Sequence, residues 1–265
     1  MCLPNIKMIN PKIKFLNVTK SYDNNSKNEV ILQDLSFEIY AEEFVCILGP
    51  SGSGKTTVLG LVAGFIKPSS GNVLFNSKDI IRPDSSRTLV FQEYALFPWL
   101  NILDNVAFGL TTKNHKNNYA REKASEYLNL VGLSAYEDHS VSQLSGGMKQ
   151  RVAIARALAV DPEVLLLDEP FGALDQQTRE SMQTELTRLM TKTKKTVLFV
   201  THSVDEALKL ADRILIIGGK PGKLLFDTTI AATRPRDLNN YQLVTIRNKI
   251  LDKLSQPDLF MGSDI

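Results

Sequence analysis

The chain has 265 residues, 43% hydrophobic and 23% charged, with a formal net charge of +2. This is the composition of a globular protein long enough for one large or two modest domains, and it lacks the clustered basic surface that nucleic acid or a strongly anionic membrane face would require. No run reaches the roughly 18 apolar residues of a membrane span; "MCLPNIKMIN" has no secretory apolar region; and Cys2 and Cys46 form no metal or redox spacing, so a reducing compartment is expected.

Residues 13–40 alternate apolar and polar, with Leu35, Phe37 and Ile39 on one face. They predict two half-buried antiparallel strands joined by the polar turn "DNNSKN" at 23–28. The solid apolar run "FVCIL" at 44–48 predicts a strand covered on both faces, with Cys46 as a small buried hydrophobe. A glycine-rich turn, "GPSGSGKTT" at 49–57, leads into the apolar "TTVLGLVAGFI". From about residue 101 to 158 the period becomes helical. Ala120, Ala124, Tyr127, Leu128 and Val131 share a face, Gly132 suits a C-cap, and the polar "TTKNHKNN" at 111–118 separates two helices.

Buried-strand runs return at "VLLLD" (164–168), "TVLFVTH" (196–202) and "RILIIGG" (213–219). A helix carrying Met182, Leu186 and Leu189 lies between the first two. Ser203 and Glu206 predict a capping box at the start of "VDEALKLAD". "GGKPG" at 218–222 turns a last hairpin, and a helix follows "TRPRD" before a loose tail. The fold class is therefore α/β, a mostly parallel sheet with helices on its faces and an all-helical insert.

Gly49, Gly54, Lys55 and Thr56 fit G-x-x-x-x-G-K-[ST] between a strand and a helix. In such a loop, here with Pro50, Ser51, Gly52, Ser53 and Thr57, backbone N–H groups converge on a phosphate. Lys55 reaches the β and γ phosphates and Thr56 offers a hydroxyl to Mg²⁺, so the pattern points to a nucleoside triphosphate. "VLLLDEP" places Asp168 and Glu169 just beyond a buried strand, where ligands of parallel sheets bind. There Asp168 can orient Mg²⁺ and Glu169 an attacking water. "QLSGGMKQR" at 143–151 holds a second anion seat, a Ser145 cap with Gly146 and Gly147 opening a helix.

With "GPSGSGKTT", "LSGGMKQR" and "VLLLDEP" in this order, the chain resembles the ATP-binding subunit of ABC transporters over roughly residues 13–230. The resemblance implies a P-loop NTPase (RecA-like) core with an N-terminal antiparallel β subdomain (13–91 and 159–230), an inserted helical subdomain (92–158) and a C-terminal helix and tail (231–265). It implies that Gln92 joins Mg²⁺ and senses membrane subunits, that His202 contacts the γ-phosphate, and that Tyr22 stacks on adenine. "FGALD" at 171–175 matches the loop facing the partner subunit, with Asp175 its acid. In this family two chains meet head to tail, and the Ser145–Gly147 tip of one covers the phosphate held by Gly49–Thr57 of the other.

"FQEYALFPWLNILDNVAFGL" and "TRPRD" are similar to the nitrate/sulfonate/taurine class of bacterial importers. That implies a peripheral position on the cytoplasmic face of the membrane, separate permease subunits, an external solute-binding protein and no nucleic acid. Either part of the group Phe97, Pro98, Trp99 and Leu100 lines the groove for a permease helix, or these residues pack inside the helical insert. The residues after 230 are too few for a regulatory domain. The alternative is a soluble ABC ATPase with a non-transport role; the translation type, with two nucleotide units, and the repair type, with long coiled coils, both lack a match here.

Overall fold

A computed structural model describes residues 10–24, 27–112 and 117–255 of the chain. The N-terminal decapeptide apart from Asn10, the tip of the 23–28 turn, residues 113–116 of the polar linker and the tail beyond 255 lie outside the described residues. Strands β1 (Ile13–Asn24) and β2 (Lys27–Ile39) pair antiparallel, as their alternation requires. β3 (Phe44–Leu48) leads through the glycine-rich loop into α1 (Lys55–Ala63). Three short strands follow that the sequence reading did not separate: β4 (Ser70–Phe75), β5 (Lys78–Asp79) and β6 (Arg87–Val90). Helices α2 (Ile102–Thr111), α3 (Asn117–Leu130) and α4 (Gly146–Ala159) form the expected helical stretch. The chain then alternates β7 (Val164–Asp168), α5 (Gln176–Thr193), β8 (Thr196–Val200), α6 (Val204–Leu210) and β9 (Arg213–Gly218). It closes with β10 (Lys223–Thr229) and α7 (Tyr241–Leu254).

Two sheets result. The larger has the order β10-β9-β3-β8-β7-β6, parallel except for β10 on its edge. The smaller is antiparallel, β2-β1-β4-β5, and is stitched to the first where Gln33 donates to the Gly222 carbonyl at 3.0 Å and Gly222 to that of Ile31 at 2.8 Å. The continuous apolar runs now have a cause. Phe44, Cys46 and Leu48 face a core shared with α2 to α7, while Val45 and Ile47 face a second core holding α1 and the smaller sheet. β7, β8 and β9 divide their side chains in the same way. A strand covered on both faces has no polar side to show, and each buried Val, Leu or Ile stabilises by about 1.5–3 kcal/mol.

The capping box expected at Ser203 is only half present. Ser203 Oγ accepts the Glu206 N–H at 3.3 Å, but the Glu206 side chain turns inward to Thr201 and Gln183 instead of returning to the cap. "TRPRD" is a strap: Arg234 pairs with Asp212, and Arg236 donates to the carbonyls of Ala232, Leu208 and Ala211, closing the end of α6.

Candidate functional site

The site lies at the carboxyl ends of β3, β7 and β8. After β3 the chain turns at Gly49, where a Cβ would sit 2.0 Å from the Ile217 carbonyl oxygen, so only glycine fits. Gly54, at φ +89°, reverses the chain into α1 from the left-handed region. Lys55 is 6% exposed, and its ammonium folds back over the loop, donating to the Gly49 carbonyl at 2.9 Å and the Pro50 carbonyl at 2.8 Å. Burial lowers its pKa, against the pull of Glu169 and Asp168. Ser53 is buried, and its Oγ has no hydrogen-bond partner.

Beside this loop opens a cleft of about 350 Å³. Ser51, Gly52, Gly54, Lys55, Thr56 and Thr57 of the loop line it, together with Tyr22, Ile31 and Glu169. The Tyr22 ring is 38% exposed, with the Lys20 ammonium 4.7 Å from its centroid. A flat, half-exposed ring at the mouth of a phosphate loop can stack on a nucleobase.

Asp168 ends β7 and accepts from Thr56 Oγ1 at 3.3 Å. Burial raises its pKa, while the Thr56 hydrogen bond opposes the rise. One hydroxyl and one carboxylate are the hard oxygen donors that Mg²⁺ takes alongside substrate phosphates. Among the described residues no group of three or more His, Cys, Asp or Glu could hold a metal ion. Glu169 adopts φ +43°, a left-handed conformation unusual outside glycine, and its N–H donates to the Val200 carbonyl at 3.0 Å. Its Oε2 lies 3.1 Å from Nδ1 of His202, whose side chain is 67% exposed. Gln92 reaches the same corner: a Cβ on Gly172 would lie 3.5 Å from Gln92 Nε2 and from the Glu169 carbonyl.

The Ser145 helix cap forms as expected. Ser145 caps α4, accepting the Met148 N–H at 3.3 Å; Ser145 and Gly146 are exposed and Gly147 is buried against Thr178. None of the three lines the cleft. Asp175 caps α5 by accepting the Thr178 N–H at 3.0 Å, and that donor holds its carboxyl below the usual carboxylate range. It lies outside the cleft too. Of 97–100, Phe97 packs on Phe108 with ring centroids 4.5 Å apart, inside the helical insert, while Trp99 is 75% exposed.

Sequence reasoning missed the clamps on this segment. Tyr94 and Ala95 both have positive φ, and Arg156 on α4 donates to their carbonyls at 2.9 and 2.7 Å. The fully buried Asn105 bonds both backbone groups of Phe97 and the carbonyls of Leu100 and Asn101. An asparagine among apolar residues of a helix was the available signal.

A family profile described as "ABC transporter" matches residues 32–172. The chain belongs to the ABC transporter family. Two relatives are similar along most of their length. The taurine import ATP-binding protein TauB of Roseobacter denitrificans is 46% identical over 200 residues, 76% of this chain and 75% of the relative. The bicarbonate transport ATP-binding protein CmpD of Synechococcus elongatus is 42% identical over 245 residues, 90% and 88% respectively. Among solved structures, a dimeric post-hydrolysis state of an ATP-binding cassette bound to ADP and Pi superposes with a TM-score of 0.74 at 34% identity, covering 83% of this chain and all of that one. The two sheets with their helical stretch are thus the cassette architecture, and this ABC protein is an ATPase. No helix of the described residues is long and apolar enough to cross a membrane.

Proposed function

We propose that this ABC ATPase powers import of a small solute through separate permease subunits, working as a head-to-tail dimer on the cytoplasmic face of the membrane. The observation that carries the reading is the separation of its two phosphate seats. None of Ser145, Gly146 and Gly147 lines the cleft at Gly49–Thr57, and Ser145 and Gly146 are exposed, which supports the use of that tip by another copy. A second copy supplies the missing tip, together with the Asp175 loop.

In this reading Tyr22 stacks on adenine, the loop amides and Lys55 hold the phosphates, and Glu169 orients the attacking water or takes its proton. His202, held against Glu169, contacts the γ-phosphate. Thr56, Asp168 and Gln92 would hold Mg²⁺, which neutralises phosphate charge when bound. Charge between two faces explains why hydrolysis releases them. An external binding protein delivers the solute; nucleic acid has no role. The cargo is proposed as nitrate, a sulfonate, taurine or a related compound, on the strength of the 91–110 segment and the TauB relative. The test is purification from membranes of the source cell, which should bring down a polytopic permease. Lys55→Ala should lose ATP binding and hydrolysis together, by about a hundredfold or more in kcat/KM. Recovery of the chain with soluble partners only would refute the import role.

A further inference from the structure

Among the described residues Glu206 is the one buried carboxylic acid, 6% exposed in the first turn of α6. Its Oε2 accepts from Thr201 Oγ1 at 2.6 Å, and its Oε1 accepts from Gln183 Nε2 at 3.3 Å. Buried ionic groups are weak sources of stability, so what this one holds in place matters more than what it adds. Thr201 Oγ1 also accepts the Ser203 N–H at 3.0 Å. The Thr201–Ser203 turn is therefore pinned from inside, and His202, between those two residues, is pushed outward to meet Glu169 at 3.1 Å. On its other side Glu206 Oε1 lies 3.9 Å from Arg179 Nε, and Arg179 Nη2 donates at 2.9 Å to the carbonyl of Leu174, the residue before Asp175.

We propose that Glu206 is a positioning residue for hydrolysis: through Thr201 it sets the His202 imidazole against Glu169. Glu206 touches neither nucleotide nor water. The inference rests on the reading that His202 acts on the γ-phosphate.

The test uses the full chain, with Thr201→Val, Glu206→Ala, Glu206→Gln and His202→Ala variants assayed for kcat and KM for ATP. Thr201→Val keeps the side-chain shape and severs the link at its far end. Glu206→Gln can keep it: the new amide oxygen accepts from Thr201, and its N–H₂ donates to Gln183 Oε1, which has no partner in the structure, once the Gln183 amide turns over. Thr201→Val and Glu206→Ala should lower kcat about tenfold or more with KM within about twofold. Glu206→Gln should stay within about threefold of the parent. Neither severing change should slow a His202→Ala chain further, because the arm they position is already gone. Parental kcat in Thr201→Val, effects that multiply with His202→Ala, or a Glu206→Gln chain as slow as Glu206→Ala would each overturn the assignment. Parental kcat in His202→Ala itself would instead refute the reading on which it rests.

Discussion

Gly49 has no room for a methyl group. Its pattern position was legible in the sequence, but the reason was not, because the obstructing Ile217 carbonyl comes from a distant strand. Gly49→Ala should cost about 1–3 kcal/mol by overpacking against rigid backbone, seen as a lower melting temperature of the nucleotide-free chain; an unchanged melting temperature would mean that the loop can shift. Cys46 was legible as core, and its thiol is fully buried, with burial pushing its pKa well above the ordinary thiol range. The folded chain binds that proton more tightly than the unfolded one, so stability falls once pH rises past the unfolded thiol's pKa. Peptide mapping after alkylation at mild alkaline pH should leave Cys46 unmodified until denaturant is added. Glu206 was misread because a glutamate three residues after a serine satisfies a local capping pattern, whereas Thr201 and Gln183 compete for it through tertiary structure.

Elements divided by how much of their cause is local. β3, β7, β8 and β9 were legible because burial on both faces writes an unbroken apolar run into five or six residues. β4, β5 and β6 were not, since their exposed or mixed burial leaves little pattern and the shortest spans two residues. The irregular stretch from Tyr94 to Asn101 owes its shape to Arg156 and Asn105 on two different helices, so no local rule could draw it. Those clamps fix a short segment that presents Trp99 to solvent while Phe97 anchors it. A large exposed indole held on a rigid base suits a docking surface. In a complex reconstituted with the permease, Trp99→Ala should lower transport about tenfold at unchanged basal ATPase; transport equal to the parent would remove Trp99 from the coupling path.

For the whole molecule, the motifs were legible because each is a short run with its own chemistry, and the structure brings Lys55, Thr56, Asp168, Glu169 and His202 to one end of one sheet. What no single chain could display is the use of the Ser145 tip, since none of Ser145, Gly146 and Gly147 lines the cleft. The solved cassette that this fold matches is itself dimeric and bound to ADP and Pi. The most direct measurement is the mass, by light scattering, of Glu169→Gln chain mixed with ATP. The account predicts a stable species of twice the 29.5 kDa chain mass that keeps its ATP unhydrolysed and is lost when Ser145 and Gly146 are also replaced. A monomer saturated with ATP, or a dimer indifferent to those two residues, would contradict it.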